Sequence, residues 1–255
     1  MTRRHRKSSA TAPAGYFAWE AAGLRWLRAA DGASVVEVRD EGEDFLELPW
    51  LESAGATPEG AEALGRGLAR THAAGASAFG APPEGWEGDG WLGPLSEPLP
   101  LTVGAWDSWG RFYGEARVLP MARAGRERGT FDATDVDRLE ALASRLAGGE
   151  HDTDDAPARL HGDLWSGNVM WTADGAVLID PAAHGGHREG DLAMLALFGC
   201  PHLDRVLAAY DEAAPLAAGW RDRVLLHQLH PLLVHAVLFG GSYVRQALAA
   251  ADRYR

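Results

Sequence analysis

The sequence predicts an α+β protein in which a small lobe with β-strands precedes a larger, mostly helical lobe. Short apolar runs typical of strands occur early in the chain, and most of the remainder has apolar residues at helical spacing. A strand–turn–strand pattern over residues 169–179 lies within the helical part. We expect residues 1–51 to form the first lobe and residues 52–255 the second.

Length and composition indicate a folded protein. The chain has 255 residues, of which 46% are hydrophobic, which favours a sizeable core and argues against disorder. The net charge of −12 argues against a nucleic-acid binder, which usually has a basic face. The single cysteine, Cys200, cannot form a disulfide within the chain, and no run approaches the ~18 apolar residues of a membrane span. We therefore expect a soluble cytoplasmic protein without a nucleic-acid or membrane partner.

Residues 16–29 have the spacing of an amphipathic helix. One face of this helix is apolar apart from a single acid, and its residues are Phe17, Glu20, Leu24 and Leu27. A carboxylate on an apolar face needs a cationic partner or contact with water. The residues alone leave open whether Glu20 is paired or solvated.

Two strands are predicted after this helix. They cover residues 34–38 and 45–48 and are joined through the acidic segment 40–43. Pro49 then ends the second strand. The residues that follow fit an ordinary exit from a strand.

The second lobe is predicted to begin with a helix. Thr57 followed by Pro58 is a typical helix start, and apolar spacing continues to Gly75. We interpret His72, inside this helix, as a packed or capping residue. Residues 79–104 are rich in Gly and Pro and predict a long surface loop near the substrate.

Further helical patterns follow. One is predicted to end near Pro120, and the next to begin at Asp132 or Thr134 as its N-cap. The last helical patterns cover residues 191–198, 203–212 and 222–250.

The segment LHGDLWSGN, residues 160–168, carries the most specific chemistry. It offers the carboxylate of Asp163 and the amide oxygen of Asn168, and Asp180 follows an apolar run. Mg²⁺ takes oxygen ligands, usually one or two from the protein and the rest from phosphates and water. The sequence therefore predicts a metal–phosphate site with a free carboxylate nearby. Asp163 alone could equally be a turn residue. Together, Asp163, Asn168 and Asp180 favour a functional site.

A hairpin is predicted to bring these residues together. Two apolar runs flank Asp174-Gly175, a favoured two-residue hairpin turn. With these residues at the centre of the turn, Val169 pairs with Asp180. Asn168 and Asp180 then lie side by side at the open end of the hairpin.

Acidic residues also follow Asp180 in the sequence. Acids are favoured near helix N-termini. We therefore interpret Asp191 as a helix N-terminal residue, or as an ion-pair partner of Arg188 or His161.

The spacing of these motifs resembles two nested groups of proteins. His-Gly-Asp, with Asn five residues after the Asp and a later Asp at a strand end, resembles the core of kinase-like phosphotransferases. The fuller string at residues 160–168 resembles the fructosamine (ketosamine) kinase family, over residues 7–243 in all. The other segments that fit this family are residues 180–182, 186–194, 228–235 and 239–243.

The resemblance implies a two-lobed protein-kinase-like fold and an ATP- and Mg²⁺-dependent kinase. Its substrate would be a small-molecule or protein-linked ketosamine, phosphorylated on the sugar 3-hydroxyl, in deglycation repair or metabolism. Asp163 would be the catalytic base, and Asn168 and Asp180 would hold Mg²⁺. His161 would support the loop by hydrogen bonding.

The resemblance also implies a nucleotide site and a substrate site. Strand residue Lys7 paired with Glu20 would hold the ATP phosphates, and the adenine would bind near Leu48 and Trp50. The residues implied for the substrate are Trp165 and His235.

One feature departs from the family pattern. Only six residues precede Lys7, whereas two strands need roughly ten or more. Either the true start of the protein lies upstream, or this is a short natural form without the first hairpin and its phosphate-covering loop. For the short form we expect ATP binding to be weaker than in relatives. Two alternatives stay open: a related aminoglycoside- or choline-type phosphotransferase, and a non-catalytic pseudokinase.

Overall fold

The first part of the chain forms a small antiparallel sheet with one helix. The structure is a computed structural model that describes residues 3–255, so Met1 and Thr2, which belong to the predicted short N-terminus, lie outside the described residues. The sheet has the order β1-β3-β2. The elements are β1 (Arg4–Ser8), α1 (Tyr16–Arg28), β2 (Asp40–Glu41) and β3 (Phe45–Pro49). The predicted helix at residues 16–29 and the strand at 45–48 are confirmed.

The predicted strand at residues 34–38 is wrong. Val35 makes only an isolated parallel bridge to Leu178. Leu178 N donates to Ser34 O (2.8 Å) and Val36 N donates to Leu178 O (3.0 Å). Because the later hairpin satisfies these backbone groups, the segment joins that hairpin instead of the first sheet. The acidic segment expected to be a turn supplies β2 in its place.

The rest of the chain is mainly helical. The helices are α2 (Pro58–Ala73), α3 (Trp109–Tyr113), α4 (Leu119–Glu127), α5 (Ala133–Ala147), α6 (Glu189–Leu197), α7 (Leu203–Ala213), α8 (Trp220–Phe239) and α9 (Ser242–Tyr254). The strands are β4 (Gly90–Leu92), β5 (Leu99–Leu101), β6 (Ala158–Leu160), β7 (Val169–Thr172), β8 (Gly175–Leu178) and β9 (His184–Gly186). They pair antiparallel as β4-β5, β6-β9 and β7-β8. Within residues 3–255, no helix is long and apolar enough to cross a membrane.

Side-chain caps fix where α2, α3 and α5 begin, and Ser108 caps α3 by accepting from Arg111 N (3.3 Å). Thr57 Oγ1 accepts from Gly60 N (3.1 Å) at the start of α2, as predicted. Asp132, and not Thr134, caps α5, since its side chain accepts from Asp135 N (2.9 Å). Each cap satisfies a backbone N–H that has no partner inside the helix.

Pro120 does not end a helix. A π-helical turn over Gly114–Val118 joins α3 to α4, and Pro120 lies in the first turn of α4. Proline is tolerated there because the N–H it lacks would have no partner inside α4. The long loop at residues 79–104 also contains the short hairpin β4-β5.

Two apolar clusters hold the fold together. The first cluster joins the β1–β3 sheet and α1 to α2, the β7-β8 hairpin and α7, through residues such as Leu24, Leu68 and Leu178. The second packs α3, α5, α8 and α9 around Trp109 and Leu232. The catalytic segment thus rests on a core shared with the first sheet. The boundary predicted after residue 51 falls between β3 and α2.

Candidate active site

The predicted base and the predicted amide ligand lie in direct contact. Asp163 follows β6, and a single 3₁₀ turn, Ser166–Asn168, leads into β7. Asn168 Nδ2 donates to Asp163 O (2.7 Å) and to Asp163 Oδ2 (3.0 Å). This pair of bonds fixes the Asn168 amide and leaves its Oδ1 as the atom suited to a metal ion.

The hairpin register differs from the prediction. Val169 pairs with Leu178, so Ala173 and Asp174 occupy the turn. The hydroxyl of Thr172 accepts from Asp174 N (3.2 Å) and donates to Gly175 O (2.9 Å). This hydroxyl-closed turn shifts the pairing away from Val169–Asp180.

Asp180 nevertheless lies beside Asn168. Ile179 N donates to Asn168 O (3.0 Å), which extends the contact between the two strands by one step. Asp180 then adopts a left-handed backbone conformation (φ 55°), which turns the chain away from the strand. Such strain in a non-glycine residue is common at functional sites.

Lys7 connects the first sheet to this group. Its Nζ lies 2.8 Å from Glu20 Oε1 and 2.6 Å from Asp180 Oδ1. Burial alone would lower the pKa of Lys7, but the charges of Glu20 and Asp180 outweigh it and raise that pKa above the ordinary value. Lys7 is therefore held as a cation next to the predicted metal ligand.

The pKa of Asp163 is suited to proton transfer near neutral pH. Burial raises the pKa of Asp163 to about 7, because its effect outweighs that of the Asn168 hydrogen bond, which lowers this pKa. The negative charges of Asp180 and Asp191 raise it further. A carboxyl with this pKa can accept a proton near pH 7, where an ordinary carboxylate is a weaker base.

Asp191 has a role that the sequence interpretation missed. Its buried carboxylate accepts from His161 N (2.8 Å), Gly162 N (3.0 Å) and His72 Nε2 (3.2 Å). Asp191 lies in the first turn of α6, as predicted, and its bonds to the loop backbone are an additional role. It does not pair with Arg188, whose Nε lies 2.8 Å from Asp155 Oδ1. Burial would raise the pKa of Asp191, but the hydrogen bonds from the His72 side chain and the His161 backbone hold it below the ordinary value.

His161 supports the same loop from the other side. Its Nε2 lies 2.9 Å from Ile179 O, and its burial lowers its pKa. The neutral ring can donate to this carbonyl through Nε2. His72 is a packed residue, as expected, with Nδ1 2.8 Å from Tyr210 Oη.

A cleft of about 620 Å³ extends from this polar group to an aromatic region. Lys7, Glu20 and Asp163 line its polar end, and the predicted substrate residues Trp165 and His235 line it further along. Trp91, from the loop predicted to lie near the substrate, also lines the cleft. Sequence reasoning missed three other aromatic residues on this wall, which are Phe198, Phe239 and Tyr243. Phe239 (61% exposed) and Trp165 (39% exposed) present apolar ring surface at this end of the cleft.

Leu48 and Trp50 are not part of this cleft. Leu48 is buried in the apolar core, and Trp50 is half-exposed with the Arg3 guanidinium 3.6 Å above its ring. The structure therefore does not bring these side chains to Asp163.

The donor set fits a Mg²⁺–phosphate complex. Asp180 supplies a carboxylate and Asn168 an amide oxygen, both of which are hard oxygen ligands. Lys7 adds a positive charge beside Asp180 (2.6 Å). The arrangement can bind phosphates at one end and activate a hydroxyl at Asp163.

A comparison with protein families matches nearly the whole chain. The model described as fructosamine kinase matches residues 5–254. A "Probable ketoamine kinase" from Synechocystis is 36% identical over 81% of this chain and 66% of its own length. Another from Thermus thermophilus is 36% identical over 93% of this chain and 82% of its own length.

Solved structures give the same result for the fold. A crystal structure from Thermobifida fusca, described as a candidate fructosamine-3-kinase, has a TM-score of 0.88 and 47% identity, covering 98% of this chain and 85% of that one. A macrolide 2'-phosphotransferase from Brachybacterium faecium, at 17% identity and a TM-score of 0.57, covers 98% of this chain and 84% of that one and shows the fold alone. The predicted two-lobed, kinase-like α+β fold is confirmed.

Proposed function

The chain belongs to the fructosamine kinase family and is a phosphotransferase with the kinase-like fold, and on that premise we propose that it phosphorylates ketosamines. The phosphoryl donor is ATP, and the acceptor is the sugar 3-hydroxyl of a fructosamine- or ribulosamine-type adduct. The role is deglycation repair or metabolism of free ketosamines, in the cytoplasm.

One observation carries this proposal. Asp163, with its raised pKa, lies in a single cleft with Lys7 at one end and Trp165 and His235 further along. Phosphoryl transfer needs alignment and charge neutralisation more than covalent help. The arrangement offers a base between a phosphate-binding end and an aromatic end.

Each residue has a separate role in the reaction. Asp163 accepts the proton of the sugar hydroxyl while that oxygen forms a bond to the γ-phosphorus, and the bond from the γ-phosphorus to the bridging oxygen breaks to release ADP. Lys7, held by Glu20, binds the ATP phosphates. Asn168 and Asp180 would hold Mg²⁺, which when bound neutralises phosphate charge. The polypeptide backbone near Leu48 and Trp50 binds the adenine.

Aromatic side chains receive the acceptor. The face of Trp165 can pack against the sugar, and His235 lies deeper on the same wall. His235 Nδ1 is 2.8 Å from Pro231 O, and burial lowers its pKa, so the ring is neutral at pH 7. A neutral aromatic wall suits a sugar linked to an amine carrier.

The test is ADP formation with Mg-ATP and a panel of acceptors. Ribulose- and fructose-derived amines should release ADP, and the phosphorylated product should carry phosphate on the 3-hydroxyl by NMR. Turnover with an aminoglycoside or choline but not with ketosamines would replace the proposal by a related phosphotransferase. No turnover with any acceptor, by folded protein, would replace it by a pseudokinase.

A further inference from the structure

A buried arginine, Arg117, lies behind the catalytic loop (residues 161–168) and has no acidic side chain in contact among residues 3–255. Arg117, in the π-helical turn between α3 and α4, is 2% exposed. Its Nη1 donates to Thr102 O and Ala116 O (2.8 Å each). Its Nη2 is buried and has no hydrogen-bond partner within residues 3–255. The guanidinium is therefore only partly satisfied.

The charge of Arg117 is also poorly compensated. Burial lowers its pKa to about 9, while Tyr113 and Asp89 act in the opposite direction. Asp89 acts through space, and its carboxylate accepts from Val103 N (3.2 Å). The guanidinium is still charged at pH 7, and a buried charge without a counter-charge is costly.

Arg117 lines a small second cavity. This cavity measures about 50 Å³ and has polar residues around it, namely Tyr113, Arg117, His184, His187, Asp191, His227 and His230. Its volume suits one or two water molecules or a single halide, because one water takes up about 30 Å³ in the liquid. Water could complete the hydrogen bonds of Arg117, whereas an anion would also place a counter-charge in contact with the guanidinium, which otherwise lies over the Phe112 ring (4.5 Å).

The acid in this cavity is already engaged elsewhere. Asp191 accepts from the backbone of His161 and Gly162 and from His72. His184, near Arg117, is kept neutral by burial and by the arginine, which lower its pKa to about 3.

We propose that this cavity binds a small monovalent anion of chloride size against Arg117. Gly162, which precedes Asp163, lines both this cavity and the cleft. The bound anion therefore fills space directly behind the catalytic loop and neutralises the charge of Arg117. The site does not depend on which acceptor the enzyme phosphorylates.

The test uses bromide as the probe. Crystals of the full chain soaked in sodium bromide should show an anomalous peak within hydrogen-bond distance of Arg117. In solution, bromide at about ten times its dissociation constant should raise the unfolding midpoint by about 3 °C above sodium gluconate of equal ionic strength. Arg117→Met should lose this difference, whereas Arg126→Met, at an exposed position of α4, should keep it.

The crystallographic result decides the question even when Arg117→Met does not fold. A cavity that holds only water after the bromide soak would overturn the proposal. An equal bromide effect in the wild type and in folded Arg117→Met would overturn it as well, since the anion would then act elsewhere.

Discussion

The two ends of the cleft are held in place by different kinds of contact. At the polar end, Lys7 binds two carboxylates, and Asp191 holds the backbone of the loop through two N–H groups. At the aromatic end, Phe198 packs on His235 (4.8 Å between ring centroids), and His235 packs on Phe239 (5.4 Å). Directional bonds fix the first end, and apolar packing shapes the second.

This difference separates two tasks. Proton and phosphoryl transfer require fixed distances, which hydrogen bonds and ion pairs supply. Recognition of an acceptor tolerates small shifts, because apolar contact is not directional. Substitutions at the polar end should therefore affect turnover, and substitutions at the aromatic end should affect acceptor affinity.

After substitution of Asp163, substitution of Lys7 is expected to cause the largest loss of activity. Lys7→Met removes the charge beside Asp180 and should lower kcat/KM for ATP by about 100-fold or more. Arg25→Met is the matched control, because this exposed arginine of α1 pairs with Glu41 away from the cleft. Steady-state kinetics on both variants measures the difference, and a loss below threefold in Lys7→Met would contradict the role of Lys7.

Asp191 should matter for stability as well as activity. Asp191→Asn leaves the His161 and Gly162 N–H groups without an anionic acceptor and should cost about 2–3 kcal/mol in the free energy of unfolding. Chemical denaturation measures this cost. Asp204→Asn, at an exposed position of α7, should change stability little. Equal stability of the two variants would show that the loop does not depend on Asp191.

The pH dependence tests the raised pKa of Asp163. The ionised carboxylate is the active form, so activity should be present above the pKa and lost below it. Below about pH 7, kcat/KM for the acceptor should fall tenfold per pH unit. A profile with its midpoint near pH 4 would show that Asp163 titrates as an ordinary carboxyl group.

The smallest effect is expected at the aromatic end. Phe239→Ala removes an exposed ring from the wall and should raise KM for the acceptor about fivefold to tenfold while kcat changes little. Trp220→Ala, at the other end of α8, is the control and should leave both constants unchanged. A fall in kcat with unchanged KM would show that the two ends do not separate binding from chemistry.

Local spacing made much of the polar end predictable. Asp163, Asn168 and Asp180 lie in one short segment around a hairpin, so their proximity follows from a few residues of chain. The predicted hairpin register is wrong because the hydroxyl of Thr172 closes the turn one residue earlier than Asp174-Gly175 suggests. Hydrogen bonds of this kind depend on side-chain geometry that a residue pattern does not specify.

Other features depend on contacts between distant segments. Asp191 has the pattern of a helix start whether it faces solvent or the catalytic loop. Only its hydrogen bonds to the backbone of His161 and Gly162, which follow β6, distinguish the two. The aromatic wall combines Phe198, Phe239 and Tyr243, each near the end of a different helix. The prediction of a strand at residues 34–38 is wrong because it also depended on a distant contact. The partner of Val35 is Leu178, far along the chain.

The most direct test of the account compares Asp163→Asn with the wild type. The variant keeps the shape of the side chain and an acceptor for Asn168, but it has no carboxylate to take a proton. We expect it to bind Mg-nucleotide with unchanged affinity by calorimetry and to lose ketosamine-dependent ADP formation by about 100-fold or more. Turnover within tenfold of the wild type, in protein that binds nucleotide normally, would contradict the assignment of Asp163 as the base.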